Sequence, residues 1–376
     1  MRVVMIRSNP VNPYPRLEKT ASYLALAGYT VVVLGWDRSR KASVSERDIP
    51  LSFGGCAKGF FYHSNGSFSG GIKKNIIGMI GFELFILKWL IRHKKEYDFI
   101  HAYDFDTGFV SLFCSRLLKK KLIYDIADFY VDSHPLPKLL QRIVRKKEIK
   151  IINRADATII CSEQRKAQIA GSSPKKLCII HNTPIIDGSL VKAFPFDCDC
   201  SLSIAYVGIL GPGRFIEELL AVVADCEGIH LFIGGFGLFE KLCIDYSNKY
   251  KNIHFLGKLD YSETLSLEKA CDVIVSIYDP SIPNHKYAAP NKFYEALALK
   301  KPVIMVEGTG LSNEVKEHGL GLVMAKYDRK SFLNEIELLI NKEYRYPSNS
   351  YLLYEERYSW KTMKNRIQSL YQDLQK

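Results

Sequence analysis

The sequence contains no apolar run long enough to cross a membrane. Its most hydrophobic stretch, Ile76 to Ile91, is interrupted by Glu83 and Lys88 and is shorter than the roughly 20 residues that a membrane-spanning helix needs. The apolar part of Met1–Arg7 is too short for a signal peptide and instead predicts a first β-strand. We therefore expect neither a membrane span nor a secretory signal.

Cysteine arrangements that bind zinc or perform redox chemistry are also absent from the sequence. None of the nine cysteines forms a CxxC motif, and Cys198 and Cys200 have no cluster of His or Cys near them. Several, such as Cys161 and Cys178, lie in apolar runs, where a free thiol packs as a small hydrophobic side chain. The pattern indicates reduced core cysteines of a cytosolic protein rather than a structural zinc site.

Two common nucleotide-binding motifs are missing as well. No GxGxxG follows the first predicted strand, which argues against a dinucleotide-dependent dehydrogenase. The glycine-rich stretch Gly208–Gly213 lacks the Lys-Ser/Thr pair of a P-loop, so hydrolysis of a nucleoside triphosphate is not expected. The sequence also shows no convincing Ser/His/Asp set or carboxylate pair that would supply a protein nucleophile.

The composition provides enough apolar material for two globular domains. The chain has 376 residues, of which 47% are hydrophobic and 24% charged, which excludes disorder and exceeds the usual size of one core. Its net charge of +12 comes from the first half, since residues 1–190 hold 30 basic and 16 acidic side chains. Either a nucleic acid or an anionic membrane surface would suit such a half.

Strand-like apolar runs alternate with helix-length segments along the chain, which is typical of parallel α/β domains. Strands are predicted at residues 3–7, 30–35, 99–102, 122–125, 157–161, 178–181, 203–207, 230–233, 253–255, 273–277 and 302–306. Helices are predicted at 17–27, 216–224, 239–250, 261–269, 291–298, 331–340 and 358–376. Residues 184–202 show little periodicity and predict a linker between two doubly wound domains. Because ligands of such sheets bind beyond the carboxyl ends of the strands, we expect a cleft between two facing domains.

The loop that contains Arg214 is one candidate binding site. It lies between a predicted strand, Ser203–Val207, and a predicted helix that starts near Ile216. Free backbone N–H groups, the helix dipole and the guanidinium group would converge there on a bound phosphate. A glycine-rich turn with a solvated arginine would have the same sequence.

A more specific pattern surrounds Lys292. A loop after Tyr278 leads to Pro290, which would begin a helix with Lys292 in its first turn and Glu295 one turn later on the same face. A cation near a helix N-terminus opposes the helix dipole unless an anion lies between them. A diphosphate would satisfy this geometry, with the carboxylate accepting hydrogen bonds from two ribose hydroxyls. An ordinary surface ion pair is the alternative.

At this segment the sequence resembles a known family. PNKFYEALALKKPVI is similar to the nucleotide-sugar signature of bacterial glycosyltransferases of family 4, or group 1, which have the GT-B fold of two facing Rossmann-like domains. Further segments resemble the capsule, O-antigen and exopolysaccharide branch of that family. In the first domain they are NPYPRLEKTASYLALAGYTVVVLG, FIHAYDFDTG and KLIYDIADFY. In the donor domain they are YVGILGPGRFIEEL, LFIGGFG and IHFLGKL. YSWKTM resembles a C-terminal helix that returns to the first domain.

The resemblance implies an organisation and an activity. Residues 1–190 would form the acceptor-binding domain, 200–357 the nucleotide-sugar donor domain and 358–376 the returning helix. The enzyme would transfer a hexosyl-type sugar from a nucleoside diphosphate, with UDP favoured over GDP. Transfer would retain the anomeric configuration and would need neither a metal nor another cofactor.

The resemblance also carries over site residues by motif position. Arg214 and Lys292 would bind the diphosphate and replace a metal as the counter-charge, and Glu295 would bind the ribose. The backbone near Leu259 would face the base. The other donor-site candidates lie at or beside the matching motifs and are Gly235, Tyr287, Pro290 and Asn291.

Two positions depart from the family pattern. Tyr287 stands where many members have a glutamate near the donor sugar, so His285 and Lys286 would contact the sugar instead or would belong to a plain polar loop. Ala127 stands where many relatives have a histidine, so Asp128 becomes the carboxylate nearest the reacting sugars, with Asp104 or Asp106 as the alternative. Each aspartate could equally cap a helix.

The resemblance gives the basic half a possible role. Acceptors of such enzymes are often saccharides linked to undecaprenyl pyrophosphate in the cytoplasmic leaflet, and Arg16 is a candidate on the acceptor side. The basic clusters Lys119–Lys121 and Arg142–Lys150 and the segment Ile76–Arg92 would suit an anionic bilayer. We therefore expect a cytoplasmic protein, peripheral at the inner face of the plasma membrane. A basic face that is only solvated is the alternative.

Three other functions fit parts of the sequence. A nucleic-acid-binding protein would use the basic half, but Arg142–Lys150 contains no aromatic side chain that could stack on a base, so no nucleic acid is expected. A nucleotide-sugar epimerase or hydrolase of the same fold would need no acceptor. A donor-binding subunit without activity would explain the residues that are missing from the family pattern.

Overall fold

The computed structural model describes residues 1–11, 14–38, 43–66, 71–134, 136–186, 191–195 and 200–376, the side chains of residues 71–74 excepted. These residues form two compact units, Met1–Ile180 with Lys364–Lys376, and His181–Met363. The first unit thus ends at residue 180, where the sequence suggested 190. His181 belongs to the second unit, in which its Nδ1 lies 2.9 Å from the hydroxyl of Tyr294.

The first unit is built on one sheet. Its strands are β1 (Arg2–Arg7), β2 (Thr30–Asp37), β3 (Ser43–Pro50), β4 (Cys56–His63), β5 (Phe99–Tyr103), β6 (Lys121–Ile126), β7 (Ala157–Ile160) and β8 (Leu177–Ile179). Its helices are α1 (Pro15–Leu26), α2 (Gly71–Arg92), α3 (Phe105–Leu117), α4 (Tyr130–Ser133), α5 (Lys138–Arg154) and α6 (Arg165–Gln168). The strands lie in the order β3-β4-β2-β1-β5-β6-β7-β8 and are parallel, except that β3 runs antiparallel to β4.

The second unit has a wholly parallel sheet of the order β11-β10-β9-β12-β13-β14. These strands are β9 (Leu202–Ile209), β10 (Ile229–Phe236), β11 (Ile253–Phe255), β12 (Val273–Val275), β13 (Val303–Val306) and β14 (Gly321–Met324). The helices are α7 (Ile216–Ala224), α8 (Glu240–Lys249), α9 (Tyr261–Ala270), α10 (Asn291–Leu299), α11 (Ser312–His318), α12 (Arg329–Ile340) and α13 (Ser350–Leu353). The last helix, α14 (Trp360–Gln375), belongs to the first unit from Lys364 onward.

The central strands are buried on both faces, which is why they are apolar runs in the sequence. Every strand predicted from such a run is present. The hairpin of β3 and β4 and the strand β14 were not predicted. Most residues of β3 are exposed, because it lies at the edge of the sheet, although Ile49 is buried. It therefore carries no apolar periodicity that could have identified it.

Helices α2, α3 and α5 pack against one core of the first unit. Phe82 of α2, Cys114 of α3 and Ile151 of α5 are all fully buried there against Tyr124 of the sheet. Each helix follows a parallel strand, so each begins at the carboxyl edge of the sheet and returns along it. The first turns of these helices therefore border the edge at which ligands of this fold bind.

A buried polar network connects α1, the sheet and the end of α14 in the first unit. Arg16 donates to Asp125 from Nε (3.0 Å) and Nη2 (2.7 Å), and from Nη1 to the carbonyl oxygen of Ile180 (2.9 Å). His101 lies between Asp125 (3.4 Å) and the hydroxyl of Tyr371 (2.8 Å). Burial by itself raises the pKa of Asp125, but Arg16 and His101 outweigh it and lower that pKa. The network stabilises an ionised carboxylate inside the unit.

A second buried carboxyl group, that of Glu148 in α5, has a pKa shifted in the opposite direction, upward. It accepts hydrogen bonds from the Tyr124 hydroxyl (3.0 Å) and the Tyr130 amide (3.2 Å), with no cation beside it. Burial raises the pKa of Glu148 to about 8, and the two hydrogen bonds only partly oppose this shift. Glu148 is therefore protonated in the folded protein at neutral pH.

Substituting Glu148→Gln is expected to change how stability depends on pH. Between pH 4.5, the ordinary value, and about pH 8, folded Glu148 holds a proton that the unfolded chain has released, so wild-type stability falls as pH rises. Glutamine carries no such proton and should remove that fall. We expect the variant to match the wild type near pH 4.5 and to exceed it by a few kcal/mol at pH 8.

Denaturant unfolding at a series of pH values measures this difference. Glu96→Gln, at an exposed carboxylate of the same unit, serves as the control and should leave the pH dependence unchanged. Parallel curves for the wild type and Glu148→Gln would contradict the protonated state.

The structure bears on two further expectations, that the cysteines are reduced and that no helix spans a membrane. Seven described cysteines are free thiols, but Cys200 is disulfide-bonded, so the prediction of reduced cysteines was wrong at this position. Cys200 lies just before β9 and outside both cores, where a thiol is not protected by packing. Within the described residues, no helix combines the length and the apolar character needed to cross a membrane.

Candidate functional site

Two glycines form the carboxyl ends of β9 and β10 in the second unit. Gly208 and Gly235 are partners in the parallel register. Gly235 has φ +136°, and a Cβ at this position would overlap the carbonyl oxygen of Gly208. A Cβ on Gly208 would lie 2.9 Å from Nζ of Lys292. Side chains are therefore excluded here, and bare backbone borders the lysine ammonium group.

Lys292 lies in the first turn of α10 and is buried. Its Nζ stands 4.5 Å from the centroid of the Tyr206 ring, a cation–π contact. Burial by itself lowers the pKa of Lys292, but the neighbouring Tyr206, Tyr278 and two glutamates outweigh this and raise it. The lysine is therefore a permanent positive charge at a helix N-terminus.

A second cation stands on the loop after β9. The guanidinium carbon of Arg214 lies 4.1 Å above the ring of Tyr278. The loop is held by the amide of Asp279, which donates to the carbonyl of Gly213 at 3.0 Å. Gly213 has φ +72°, and a Cβ there would lie 2.7 Å from Ile282, so this turn requires glycine. The sequence alternative of a freely solvated arginine does not hold.

His285 belongs to the same loop cluster. It lies in a 3₁₀ turn, Pro283–Tyr287, and is buried, with Nδ1 2.9 Å from the carbonyl oxygen of Asp279. Its ring meets that of Tyr278 edge-on at 5.0 Å. Burial and the nearby Arg214 lower the pKa of His285, the contact with Asp279 opposing them. Tyr287, at the end of this turn, is half-buried.

Glu295 follows Lys292 by one turn of α10 and is also buried, which excludes a surface ion pair between them. Its Oε1 accepts a hydrogen bond of 3.2 Å from the hydroxyl of Tyr261 in α9. The sequence reasoning missed Glu268, a fully buried residue of α9. Neither carboxyl oxygen of Glu268 has a hydrogen-bond partner among the described residues. Burial and then Glu295 raise its pKa well above the ordinary value, and Lys292 opposes them.

Burial thus favours the protonated form of Glu268, which interacts electrostatically with Lys292 and Glu295 of α10. One signal in the sequence could have identified it. Glu268 follows Leu265 by three residues, and side chains three apart share a helix face. Leu265 is buried, so the shared face was a signal, but a weak one, since Lys269, four residues after Leu265, is exposed.

The remaining candidates of the second unit lie around these residues with different exposure. Pro290 is buried and stands immediately before α10. Asn291 is exposed and accepts a 2.6 Å hydrogen bond from the side-chain amide of Asn182. Leu259 is half-buried, and a Cβ on Gly234 would lie 3.1 Å from its side chain. Asn291 and Leu259 thus remain accessible to a ligand.

The first unit contains a cavity of about 340 Å³ at the carboxyl edge of its own sheet. Its lining includes Arg7, Trp36, Asp104, Asp128 and His134, which come from four separate segments of the chain. Aromatic, acidic and basic side chains therefore line one space. The predicted catalytic candidates Asp104 and Asp128 are among them.

The two aspartates differ in how freely they face the cavity. Asp104 is buried, forms an ion pair with Arg7, and accepts a hydrogen bond of 2.8 Å from the amide of Ala127. Its φ of +57° is strained for a residue with a side chain. The side chain of Asp128 is 55% exposed and forms one ion pair, 3.0 Å, with Arg165. Asp104 holds the loop together, whereas Asp128 is the carboxylate that a ligand can reach.

His134 is a cavity residue that the sequence reasoning did not identify. Its ring stacks on that of Tyr130 with a centroid distance of 4.2 Å, and its Nδ1 lies 3.2 Å from the Tyr130 carbonyl oxygen. It brings an imidazole to the cavity whose loop has Ala127 in place of the family histidine. Arg16, in contrast, is buried against Asp125 and does not line the cavity.

The second unit matches a family of known proteins. The model for "Glycosyl transferases group 1" matches residues 203–342, which contain Arg214, Gly235, Lys292 and Glu295. An uncharacterized glycosyltransferase of Methanocaldococcus jannaschii is 23% identical over 172 residues, 45% of this chain and 47% of that protein. The matched region thus spans about half the length of that curated relative.

Solved structures resemble the whole chain. The sucrose-phosphate synthase of Thermosynechococcus elongatus has a TM-score of 0.72 at 18% identity, covering 100% of this chain and 99% of that chain. HepE of Anabaena, in complex with UDP and glucose, has a TM-score of 0.68 at 17% identity, covering 99% of this chain and 100% of that chain. At such identities the likeness establishes the fold.

The protein therefore has the GT-B fold, with two Rossmann-like α/β domains, and residues 203–342 of its second unit are similar to the group 1 glycosyl transferases. The resemblance inferred from PNKFYEALALKKPVI is confirmed. The assignment to the capsule, O-antigen and exopolysaccharide branch stays a prediction.

Proposed function

We propose that the protein is a glycosyltransferase that moves a hexosyl-type sugar from a UDP-sugar to a saccharide acceptor. The second unit would bind the donor, and the first unit would hold the acceptor. The observation that carries the proposal is the arrangement of Arg214, Lys292 and Glu295 at the carboxyl edge of the second sheet. The family match of residues 203–342 supports the same activity.

The two cations suit the diphosphate of the donor. Lys292 and Arg214 are each supported by a tyrosine ring, Tyr206 and Tyr278, and both influence the pKa of Tyr206. A diphosphate between them would satisfy both positive charges and would also face the N-terminus of α10. Because the charges are preorganised, they would stabilise the diphosphate as it leaves, and a bound metal would not be required.

The nucleoside would lie against the residues next to these cations. The carboxylate of Glu295 would accept hydrogen bonds from the ribose hydroxyls, and the accessible backbone at Leu259 would face the base. UDP is favoured because the HepE structure of similar fold contains UDP and glucose. GDP is the alternative donor nucleotide, and calorimetric titration distinguishes it from UDP by affinity.

The transfer step needs no protein nucleophile. The bond between the anomeric carbon and the diphosphate oxygen breaks, and UDP leaves with its electron pair. The acceptor hydroxyl oxygen forms the new bond to the anomeric carbon, and its proton passes to the leaving diphosphate. Attack on the face that UDP leaves would retain the anomeric configuration, as the family resemblance implies.

The acceptor sugar would occupy the cavity of the first unit. The buried rings of Trp36 and Tyr130 form part of the cavity wall, and Asp128 offers a carboxylate to the hydroxyl groups of a sugar. His134 lies beside them on the surface. Such a mixture of aromatic and polar groups suits an uncharged saccharide better than a nucleic acid.

Calorimetric titration of the purified protein with UDP, GDP, CMP and dTDP tests the donor assignment. We expect saturable binding of UDP and much weaker binding of the others. Release of UDP from UDP-sugars is then measured with and without saccharide acceptors. Binding of none of the four nucleotides would contradict the proposal. Release of the free sugar without an acceptor would indicate a hydrolase instead of a transferase, and epimerisation of the sugar would indicate an epimerase.

Asp128→Asn tests the acceptor side separately. We expect kcat for transfer to fall by about a hundredfold or more, because the acceptor hydroxyl loses its hydrogen-bonding carboxylate, while UDP affinity stays unchanged. Asp132→Asn is the control, since Asp132 is near in sequence but does not line the cavity. Normal transfer by Asp128→Asn would remove this residue from the reaction.

A further inference from the structure

An aromatic ring stands exposed at the carboxyl edge of the second sheet. Phe236 is the last residue of β10 and is 54% exposed, whereas every other large apolar side chain of that strand is buried. Its register partner on β9, Ile209, is 55% exposed. Both follow directly on the glycine pair Gly208 and Gly235, beside which Lys292 lies. Two exposed apolar side chains at the edge where ligands of this fold bind indicate a contact surface.

The ring of Phe236 lies beside the segment that leads from β11 to α9. Nζ of Lys258 is 5.7 Å from the centroid of this ring, and Lys258 immediately precedes Leu259. The amide of Gly235 donates a hydrogen bond of 2.7 Å to the carbonyl oxygen of Gly257, which fixes the end of β10 to the same segment. Phe236 and the backbone at residues 257–259 are therefore neighbours.

Further contacts connect this segment to the residues proposed for the ribose and the diphosphate. Helix α9 begins at Tyr261, two residues after Leu259, and the Tyr261 hydroxyl donates to Glu295 at 3.2 Å. Glu295 follows Lys292 by one turn of α10. The contacts thus lead from an exposed aromatic ring, past a carboxylate, to a buried ammonium group. A nucleoside diphosphate offers a base, a ribose and a diphosphate in the same order.

The chemistry of this surface suits the base. A phenylalanine ring and an isoleucine side chain donate no hydrogen bonds, so a phosphate group would gain nothing from them. A planar nucleobase would stack on the ring, and its edge would form hydrogen bonds with backbone groups at residues 257–259. A single lysine covers at most one face of a ring, and more than half of Phe236 is accessible.

We infer that Phe236 stacks on the nucleobase of the donor and that Ile209 borders the same base. This inference rests on the proposed function, because it requires a nucleoside diphosphate in the second unit. Stacking on an aromatic side chain tolerates any base, since every base has a π face. Phe236 therefore contributes affinity, whereas hydrogen bonds from the backbone beside Leu259 select the base.

Calorimetric titration of Phe236→Ser with UDP and with inorganic pyrophosphate tests the stacking. We expect the affinity for UDP to fall about tenfold or more, because the base loses its aromatic partner. Pyrophosphate has no base, so its affinity should equal that of the wild type. Phe236→Tyr retains the ring and should retain UDP affinity. An equal loss for UDP and pyrophosphate would show that the substitution disturbs the strand end, and would overturn the inference.

Tyr351→Ser is the matched control. Tyr351 is an aromatic residue of the same unit that is 40% exposed, and the ammonium group of Lys300 lies 4.6 Å from its ring centroid. It therefore reproduces an exposed ring with a lysine beside it, at the opposite end of α10 from Lys292. We expect wild-type affinity for UDP, and thermal unfolding checks the fold of each variant. A comparable loss of UDP affinity in Tyr351→Ser would contradict a specific role of Phe236.

Phe236→Trp provides a direct signal of the contact. UDP should quench the fluorescence of the added indole, whereas pyrophosphate should not, and the wild type with its three tryptophans gives the background. Quenching no greater than in the wild type would contradict the stacking.

The outcomes separate this inference from the proposed function. Unchanged UDP affinity in Phe236→Ser, with UDP bound by the wild type, would overturn only the role of Phe236. A loss seen with UDP-glucose but not with UDP would assign the ring to the donor sugar and would overturn it as well. Failure of the wild type to bind any nucleotide would contradict the proposed function and this inference together.

Discussion

Lys292→Met is expected to abolish measurable UDP binding, with an affinity loss of at least about a hundredfold. The side chain is a buried cation whose pKa is raised, so it is charged at every physiological pH. Methionine fills a similar volume and leaves Gly208 and Tyr206 in contact with an apolar group. The diphosphate would then lose one of its two charge partners in a site screened from water.

The fold should tolerate this change, because the buried ammonium group is costly to desolvate and methionine is not. Calorimetric titration with UDP measures the affinity, and thermal unfolding checks the fold. Lys300→Met is the matched control: Lys300 follows the other end of α10, and its ammonium group lies 4.6 Å from the Tyr351 ring. UDP affinity preserved in Lys292→Met would place the diphosphate elsewhere.

Arg16→Met is expected to destabilise the first unit by about 3–5 kcal/mol. The guanidinium group makes two hydrogen bonds to Asp125 and one to the carbonyl oxygen of Ile180, all inside the unit. Removing it leaves a buried carboxylate whose other described hydrogen-bond partner is His101, at 3.4 Å. An uncompensated buried charge costs much more than the net gain from forming the pair.

A double-mutant cycle tests that reasoning. Arg16→Met and Asp125→Asn together should cost clearly less than the sum of the two single losses, because the double variant contains no unpaired charge. Denaturant unfolding followed by fluorescence measures each free energy of unfolding. Arg2→Met, at an exposed arginine whose ion pair with Glu96 spans 3.7 Å, is the control and should change stability little. Additive losses would contradict a coupled buried pair.

Periodicity and motifs within single segments were enough to predict much of this protein. The central strands were predicted because burial on both faces leaves a continuous apolar run. Helix α10 was predicted with the bounds 291–298 and is observed at Asn291–Leu299. Arg214, Lys292 and Glu295 were predicted as donor-site residues because each lies in a short motif at a strand end or a helix start. The sequence indicated the GT-B fold through the same segments.

The cavity of the first unit could not be predicted as a cavity. Trp36, Asp104, Asp128 and His134 are distant in sequence, and only the parallel pairing of four strands brings their ends to one edge. The roles of its two aspartates also needed the structure. Both follow a strand, but one is committed to Arg7 and to backbone amides, whereas the other is exposed.

Burial and exposure of single side chains were decided by tertiary packing alone. Arg16 was expected near the acceptor, yet it is enclosed by the sheet and the carbonyl of Ile180. Glu268 of α9 is fully buried and Ile77 of α2 is 84% exposed, the reverse of what a charged and an apolar side chain would suggest. Local sequence determines which residues share a face of an element. Whether that face meets a core, a cavity or water depends on the elements packed against it, which are remote in the chain.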